Sequence, residues 1–213
     1  MTFFIAATNT DVGKTFTTLG LMEAFHAMGY RVGAFKPIET GVETRPLDGT
    51  ALYEKAISLN SGFGNLTLED VVPVRYTLPA APFIAKTGVI PWEHIHERFE
   101  VVKNACDVLF VEGAGGVLTP VDDAHMIIDY ATLFDAHTLL VAPDGLGSIS
   151  ETLSALELLA HRKLPHHWAV NRQHPDNGFE RITAPYYDAV FGHYFTLPAD
   201  FSPLAKAMRD AAA

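Results

Sequence analysis

The chain has 213 residues, 48% hydrophobic and 19% charged, which is enough apolar side chain for one packed soluble domain and too little polarity for disorder. Its formal net charge of −10 speaks against a nucleic-acid partner, because neutralising phosphates takes clustered Lys and Arg. No apolar run approaches bilayer-spanning length, and the single cysteine, Cys106, leaves no intrachain disulfide to form.

Short apolar runs alternate with longer helical patterns, which predicts βα units around a parallel sheet. Residues 2–7 form a buried first strand. Residues 14–28 are predicted helical, with Leu21, Phe25 and Met28 on one face and Gly29 at the end. Residues 31–36 make a second strand, and Asp48, in Leu47-Asp48-Gly49, begins the next helix. Residues 60–89 are less regular, with room for an edge element. Pro91 opens a helix whose Ile95, Phe99 and Val102 share a stripe. Residues 108–111 and 138–142 are further buried strands, each followed by a glycine-containing turn. A leucine-lined helix at 148–161 and a short late strand at 167–170 follow. No repeat, low-complexity tract or charged linker divides the chain. The expectation is one doubly wound, mostly parallel α/β domain over residues 1–213. In such sheets ligands bind beyond the carboxyl ends of the strands. The turns after Ala7, Lys36, Val111, Ala142 and Val170 are therefore expected to share one end.

Those turns carry the chemistry. Gly13-Lys14-Thr15, after a strand and opening a helix, has the layout of a phosphate-binding loop, although Thr8 stands where the usual loop has its first glycine. Backbone N–H groups there cradle phosphates, Lys14 reaches the β and γ oxygens, and the Thr15 hydroxyl suits a magnesium ion. Glu112 ends the third buried strand, where this fold class places a second metal-binding carboxylate. The Gly113-Ala114-Gly115-Gly116 run behind it admits a substrate or phosphate close to the backbone. Lys36, before Pro37-Ile38-Glu39-Thr40-Gly41, puts a second cation on the same rim, suited to developing transition-state charge. Asp48 is either a helix cap or a third magnesium ligand, and the two roles are compatible.

Together these residues resemble the dethiobiotin synthetase family, ATP-dependent cyclo-ligases of biotin synthesis. The family's loop G-T-x-T-x-V-G-K-T is matched by Ala7-Thr8-Asn9-Thr10-Asp11-Val12-Gly13-Lys14-Thr15, with Ala7 for the usual Gly. Its K-P-x-x-[ST]-G is matched by Lys36 to Gly41, and its V-E-G-A-G-G by Val111 to Gly116 with Thr119-Pro120 following. Its P-x-x-P is matched by Pro79-Ala80-Ala81-Pro82, where Phe83 replaces a frequent His. Its L-G-x-I-N-H appears as Leu146-Gly147-Ser148-Ile149-Ser150-Glu151, with Ser for Asn and Glu for His. The motifs run in order to about Asn171, and the last forty-odd residues match weakly.

The resemblance implies a P-loop NTPase-like fold and a definite reaction. Carbon dioxide or bicarbonate and 7,8-diaminopelargonic acid give a carbamate, ATP phosphorylates it, and the second amine closes a ureido ring. It further implies Lys36, Lys14 and Thr10 as catalytic residues, with Thr15, Asp48 and Glu112 as Mg2+ ligands. Asp11, Val12, Gly13, Lys14, Thr15, Phe16, Asp48, Glu112, Gly113, Ala114 and Gly115 would surround ATP, with Asn171 and Pro198 at the adenine. Thr10, Lys36 and Thr40 would contact the diamine. Gly147, Ser148 and Ser150 would bind the substrate carboxylate from the partner subunit of a homodimer. A cytoplasmic enzyme without membrane or nucleic-acid partner follows.

Other signals are weaker. The ten histidines show no zinc-like cluster with Cys106, and His94 and His96 point to different sides of a helix. Asp122-Asp123 before Met126-Ile127-Ile128 has the pattern of a helix N-terminus rather than a catalytic acid pair. Glu39 and Glu43, near Lys36, are not separable here from solvated loop. His174, three residues after Asn171, stands where a guanine-reading loop needs an aspartate, which favours ATP over GTP. The alternatives are a related P-loop amide synthetase or small-molecule kinase, and a partition-type regulatory ATPase. The latter usually carries an extra lysine early in the loop, and here none precedes Lys14.

Overall fold

The strands form because their residues are apolar on both faces, as a sheet covered twice requires. In the computed structural model, which describes residues 1–174 and 177–212, every residue of β1 (Thr2–Ala7) is buried. Phe3 and Phe4 illustrate the pleat. Phe3 packs on Phe25 of α1 (Lys14–Ala27), while Phe4 packs on Tyr130 of α6 (Tyr130–Leu133). The main sheet is six-stranded and parallel throughout, in the order β2-β5-β1-β6-β7-β8. Here β2 is Val32–Phe35, β5 Val108–Glu112, β6 His137–Ala142, β7 His166–Asn171 and β8 Phe195–Leu197. Helix α1 packs against both α2 (Leu47–Leu59) and α10 (Phe201–Ala211), and α5 (Trp92–Asn104) packs on β2 and β5. The predicted stripe of α5 is the buried one: Ile95, Phe99 and Val102.

Because all strands run the same way, their carboxyl ends meet. Thr8 N donates to Val141 O, Val117 N to Ala7 O, and Arg172 N to Leu197 O. The turns after β1, β5, β6, β7 and β8 thus lie side by side, and Lys36 follows β2 on the same edge.

Three expectations need correction. The edge element in residues 60–89 exists as β4 (Val74–Tyr76), yet it pairs with β3 (Ile38–Thr40) in a separate two-stranded sheet. Asp122 caps no helix: its carboxylate accepts from Trp92 Nε1 at 2.6 Å and from the Ala124 and His125 N–H groups, folding a turn on itself. The short helical turn that follows, Ile127–Asp129, is held by Asp129, which accepts from Met126 N at 2.7 Å. Asp48 is not the cap of α2 either; that position is Pro46, whose side chain accepts no hydrogen bond. Between α5 and β5, burial pushes the Cys106 thiol up to about 12, which makes it a packing residue and a poor nucleophile. Among the described residues no helix is long and apolar enough to cross a membrane.

Candidate active site

The loop between β1 and α1 turns on Gly13, at φ 92°, where a side chain would lie 2.0 Å from the Asn171 amide nitrogen. Asn171, buried at the end of β7, donates to Val12 O at 2.9 Å, and Gln173 donates to Asp11 O at 2.9 Å. The late strand thereby braces the loop from behind. Lys14, the first residue of α1, is also buried, and its ammonium reaches back to Asn9 O at 3.4 Å. Burial lowers its pKa, with the nearby Lys36 adding to the effect and Glu112 opposing it.

The centre of the site is a buried ion cluster. Lys36 leaves the end of β2 with its side chain 3% exposed, and its Nζ donates to Glu112 Oε1 at 2.7 Å and Asp48 Oδ2 at 2.8 Å. Glu112 ends β5 fully buried; its Oε1 also accepts from the Thr15 hydroxyl at 2.8 Å, and its Oε2 from the Thr18 hydroxyl at 2.9 Å. An ammonium and two hydroxyls thus satisfy a carboxylate that burial alone would penalise heavily. Burial pulls the Lys36 pKa down, but Glu112 and Asp48 outweigh it and hold the group above its ordinary value. For Asp48 burial pushes upward, while the Lys36 ammonium and the Thr15 hydroxyl leave it below the usual carboxylate range.

Of the expected magnesium ligands, Asp48 and Glu112 thus converge on one cation, the Lys36 ammonium, and the Thr15 hydroxyl joins them through Glu112. One hydroxyl and two carboxylates, all hard oxygen donors beside a phosphate-binding loop, fit a magnesium ion that completes its shell with phosphate and water. Among the described residues no larger cluster of His, Cys, Asp and Glu is arranged for a metal.

A cavity of about 460 Å³ lies over this cluster. Thr10, Asp11, Gly13, Lys14 and Thr15 line it from the loop, Lys36, Glu39, Thr40 and Asp48 from the β2–α2 side, and Gly113, Ala114 and Gly115 from the turn after β5. A second cavity of about 390 Å³ shares Thr10, Thr40, Ala114 and Gly115 and adds the Pro79–Pro82 segment and Thr119. The two are neighbours, walled in common by those four residues.

The expected residues Phe16, Asn171, Pro198, Gly147, Ser148 and Ser150 line neither cavity. Phe16 is exposed on α1, its ring 5.8 Å from that of Phe201. Pro198 follows Leu197, which is in register with Asn171, so the two expected adenine contacts are neighbours at the sheet edge. Gly147, Ser148 and Ser150 sit at the start of α7 (Ser148–His161), with Ser148 buried and Ser150 exposed. Ser150 lines a separate cavity of about 480 Å³ with Thr8, Asn9, Leu118, Glu151 and Leu158. Glu151 turns toward the phosphate loop and accepts from the Thr8 hydroxyl at 3.2 Å.

Three residues were missed. Thr18 lies one turn beyond Lys14 on α1, so helical spacing from the loop was a usable signal. Gln173 had no signal, since its loop contact depends on the β7 turn. Glu39 is buried and accepts from Asp48 N at 3.2 Å and Gly49 N at 2.8 Å; it is no solvated loop residue.

Residues 1–190 match the family described as AAA domain. The ATP-dependent dethiobiotin synthetase BioD of Sulfurovum sp. (strain NBC37-1) is 40% identical over 206 residues, covering 96% of this chain and 98% of the relative. That of Wolinella succinogenes is 35% identical, covering 98% of each chain. Among solved structures, the MinC:MinD cell division protein complex of Aquifex aeolicus superposes with TM-score 0.53 at 18% identity, covering 96% of this chain and 85% of that one. A plasmid partition protein from Borrelia burgdorferi gives 0.54 at 12% identity, covering 99% and 96%. At these identities the structures establish the P-loop NTPase fold alone. The sequence relatives, matched almost end to end, establish more: the chain belongs to the ATP-dependent dethiobiotin synthetase family.

Proposed function

We propose that this chain is a single-domain, cytoplasmic dethiobiotin synthetase that joins 7,8-diaminopelargonic acid and carbon dioxide at the expense of ATP. The observation that carries the reading is the meeting of Lys14, Lys36 and Asp48 at one cavity, with Lys36 paired to the buried Glu112 beneath it, next to a second, uncharged cavity that shares four of its lining residues. The first suits the phosphates of ATP and the second suits the diamine. Thr10 and Thr40 line both and would contact the reacting amines where the two meet.

One substrate amine adds to carbon dioxide and loses a proton, giving a carbamate. A carbamate oxygen then attacks the γ-phosphorus and ADP leaves, forming a carbamic–phosphoric anhydride. The second amine attacks the carbonyl carbon, the C–O bond to phosphate breaks, and the ureido ring closes. There is little covalent work for the protein in the phosphoryl step, so positioning and charge dominate. Lys14 holds the β and γ oxygens, and the N–H groups of residues 11–16 cradle them. Lys36 offsets the charge that spreads over the transferring phosphoryl group. Thr15, Asp48 and Glu112 would hold Mg2+, which would supply positive charge against the charge developing on the transferring phosphoryl group. Gly113, Ala114 and Gly115 let the phosphates approach the backbone.

Asn171 has a second amide hydrogen beyond the one given to Val12, and with Pro198 beside it would form the adenine edge, while Phe16 follows Thr15 on the ATP side of α1. The substrate carboxylate would lie at the N-terminus of α7 in the partner of a homodimer, near Gly147, Ser148 and Ser150. Support comes from Glu151, whose side chain is engaged by Thr8. Exposed apolar residues flank that helix start, with Leu146 94% and Leu118 56% exposed. No nucleic-acid or membrane partner enters the reading.

The test is substrate dependence of phosphate release, with the product weighed by mass spectrometry. Release should require both diamine and bicarbonate, and the product should contain the added carbonyl. Phosphate release without added carbonyl mass would refute the assignment.

A further inference from the structure

A helix leaves its first N–H groups without partners, and a Ser, Thr, Asp or Asn at the cap usually takes them. Helix α2 begins after Pro46, which has no side-chain acceptor. The N–H groups of Asp48 and Gly49 go instead to the two carboxylate oxygens of Glu39, one to Oε1 and one to Oε2, at 3.2 and 2.8 Å. Glu39 is held in turn: it is the middle residue of β3, in register with Arg75 of β4, and it is 6% exposed. Gly49 permits the approach, since a side chain there would come within 2.9 Å of Glu39 Oε2 and 2.1 Å of a Val72 methyl. On the same turn the Asp48 side chain meets Lys36. The segment bearing Lys36 and Thr40 is thus tied to the backbone of Asp48 by one buried carboxylate.

We propose that Glu39 is a positioning residue for the metal site: by capping α2 from outside the helix it sets where the Asp48 carboxylate stands beside Thr15 and Glu112. The proposal rests on the reading of Asp48 as a magnesium ligand. Residues that orient a metal ligand typically change metal affinity by about 10- to 100-fold when removed. Glu39→Ala frees two buried N–H groups and the first turn of α2, so the ligand loses its fixed position while keeping its charge. Glu39→Gln retains one carbonyl acceptor but sets an NH2 donor against the other N–H, so it should lose part of the cap. Glu39→Asp keeps the charge but shortens the reach by one methylene.

The readout is ADP binding by calorimetry, with excess Mg2+ and with a chelator, so that the ratio of the two affinities reports the metal site and needs no turnover. In the wild type Mg2+ should tighten ADP binding, and Asp48→Ala should remove most of that gain. Glu39→Ala should cut the gain by about 10-fold with little change in the chelated condition, and Glu39→Asp and Glu39→Gln should fall between it and the wild type. The double variant Glu39→Ala/Asp48→Ala should show no further loss beyond Asp48→Ala, because both act through one ligand. A wild-type gain in Glu39→Ala and Glu39→Asp would overturn the proposal. So would equal losses with Mg2+ and with chelator, which mark a general loosening. A full Mg2+ gain in Asp48→Ala would instead overturn the ligand reading underneath it, so the two failures are distinct.

Discussion

Replacing Lys36 by Met keeps the length of the side chain and removes its ammonium. Glu112 is then left fully buried, with the Thr15 and Thr18 hydroxyls as its remaining direct partners. Removing one partner of a buried pair costs about 3–5 kcal/mol, since the other charge stays behind unpaired. The low end applies, because the nearby Lys14 ammonium still acts on Glu112 and the Asp48 side chain is half exposed. A loss of about 3 kcal/mol corresponds to a melting point lower by about 6–12 °C in a chain of this size. Thermal unfolding followed by circular dichroism, without nucleotide at neutral pH, measures it. Adding Glu112→Gln should recover much of the loss, because the amide is neutral and still meets both hydroxyls. A Lys36→Met protein that melts with the wild type, or a second substitution that brings no recovery, would refute the account of the cluster.

Lys36→Ala should keep ATP binding and lose most turnover, seen as a fall in kcat with little change in nucleotide affinity, whereas Glu112→Gln should raise the Mg2+ concentration needed for half-maximal rate. Ser150→Glu should abolish diamine binding by calorimetry and leave ATP binding unchanged. Mixed with Lys36→Ala under conditions of subunit exchange it should restore partial activity, since one site of each heterodimer then carries neither change. His137 and His167, hydrogen-bonded across β6 and β7 at 2.8 Å, give a pH signature. Burial, followed by the neighbouring His167 and His166, pushes the His137 pKa from 6.5 down to about 4. Between these values the unfolded chain binds more protons than the folded one, so stability should fall as pH drops through that window. His137→Gln should flatten the fall in urea midpoints measured from pH 7 to pH 4.

The elements read correctly from sequence are those whose own burial pattern specifies them. Residues 3–7 of β1 and 108–111 of β5 are apolar without interruption because both faces are covered, and α5 shows one stripe because one face is. Strands β3 and β4 are three residues each and pair over a long separation, so neither has a periodic signal of its own. Asp48 shows the same limit at the site. Its neighbours allow a cap or a ligand, and the answer depends on Glu39, which supplies the cap from another strand, and on Lys36, which turns the carboxylate inward. Thr15 and Glu112 were legible because a strand–loop–helix and a strand end fix their places. Thr18 shares the helix of Thr15, yet its role appears only once Glu112 is seen beneath it.

The central claim is that the γ-phosphoryl group is transferred to a carbamate oxygen that originates in carbon dioxide. Turnover with 18O-labelled bicarbonate, quenched before the label exchanges with water, tests it by the isotopic mass of the released phosphate. Each phosphate formed should carry one labelled oxygen, delivered when the C–O bond of the anhydride breaks. Phosphate with no label above the exchange background, released in step with ring closure, would contradict it.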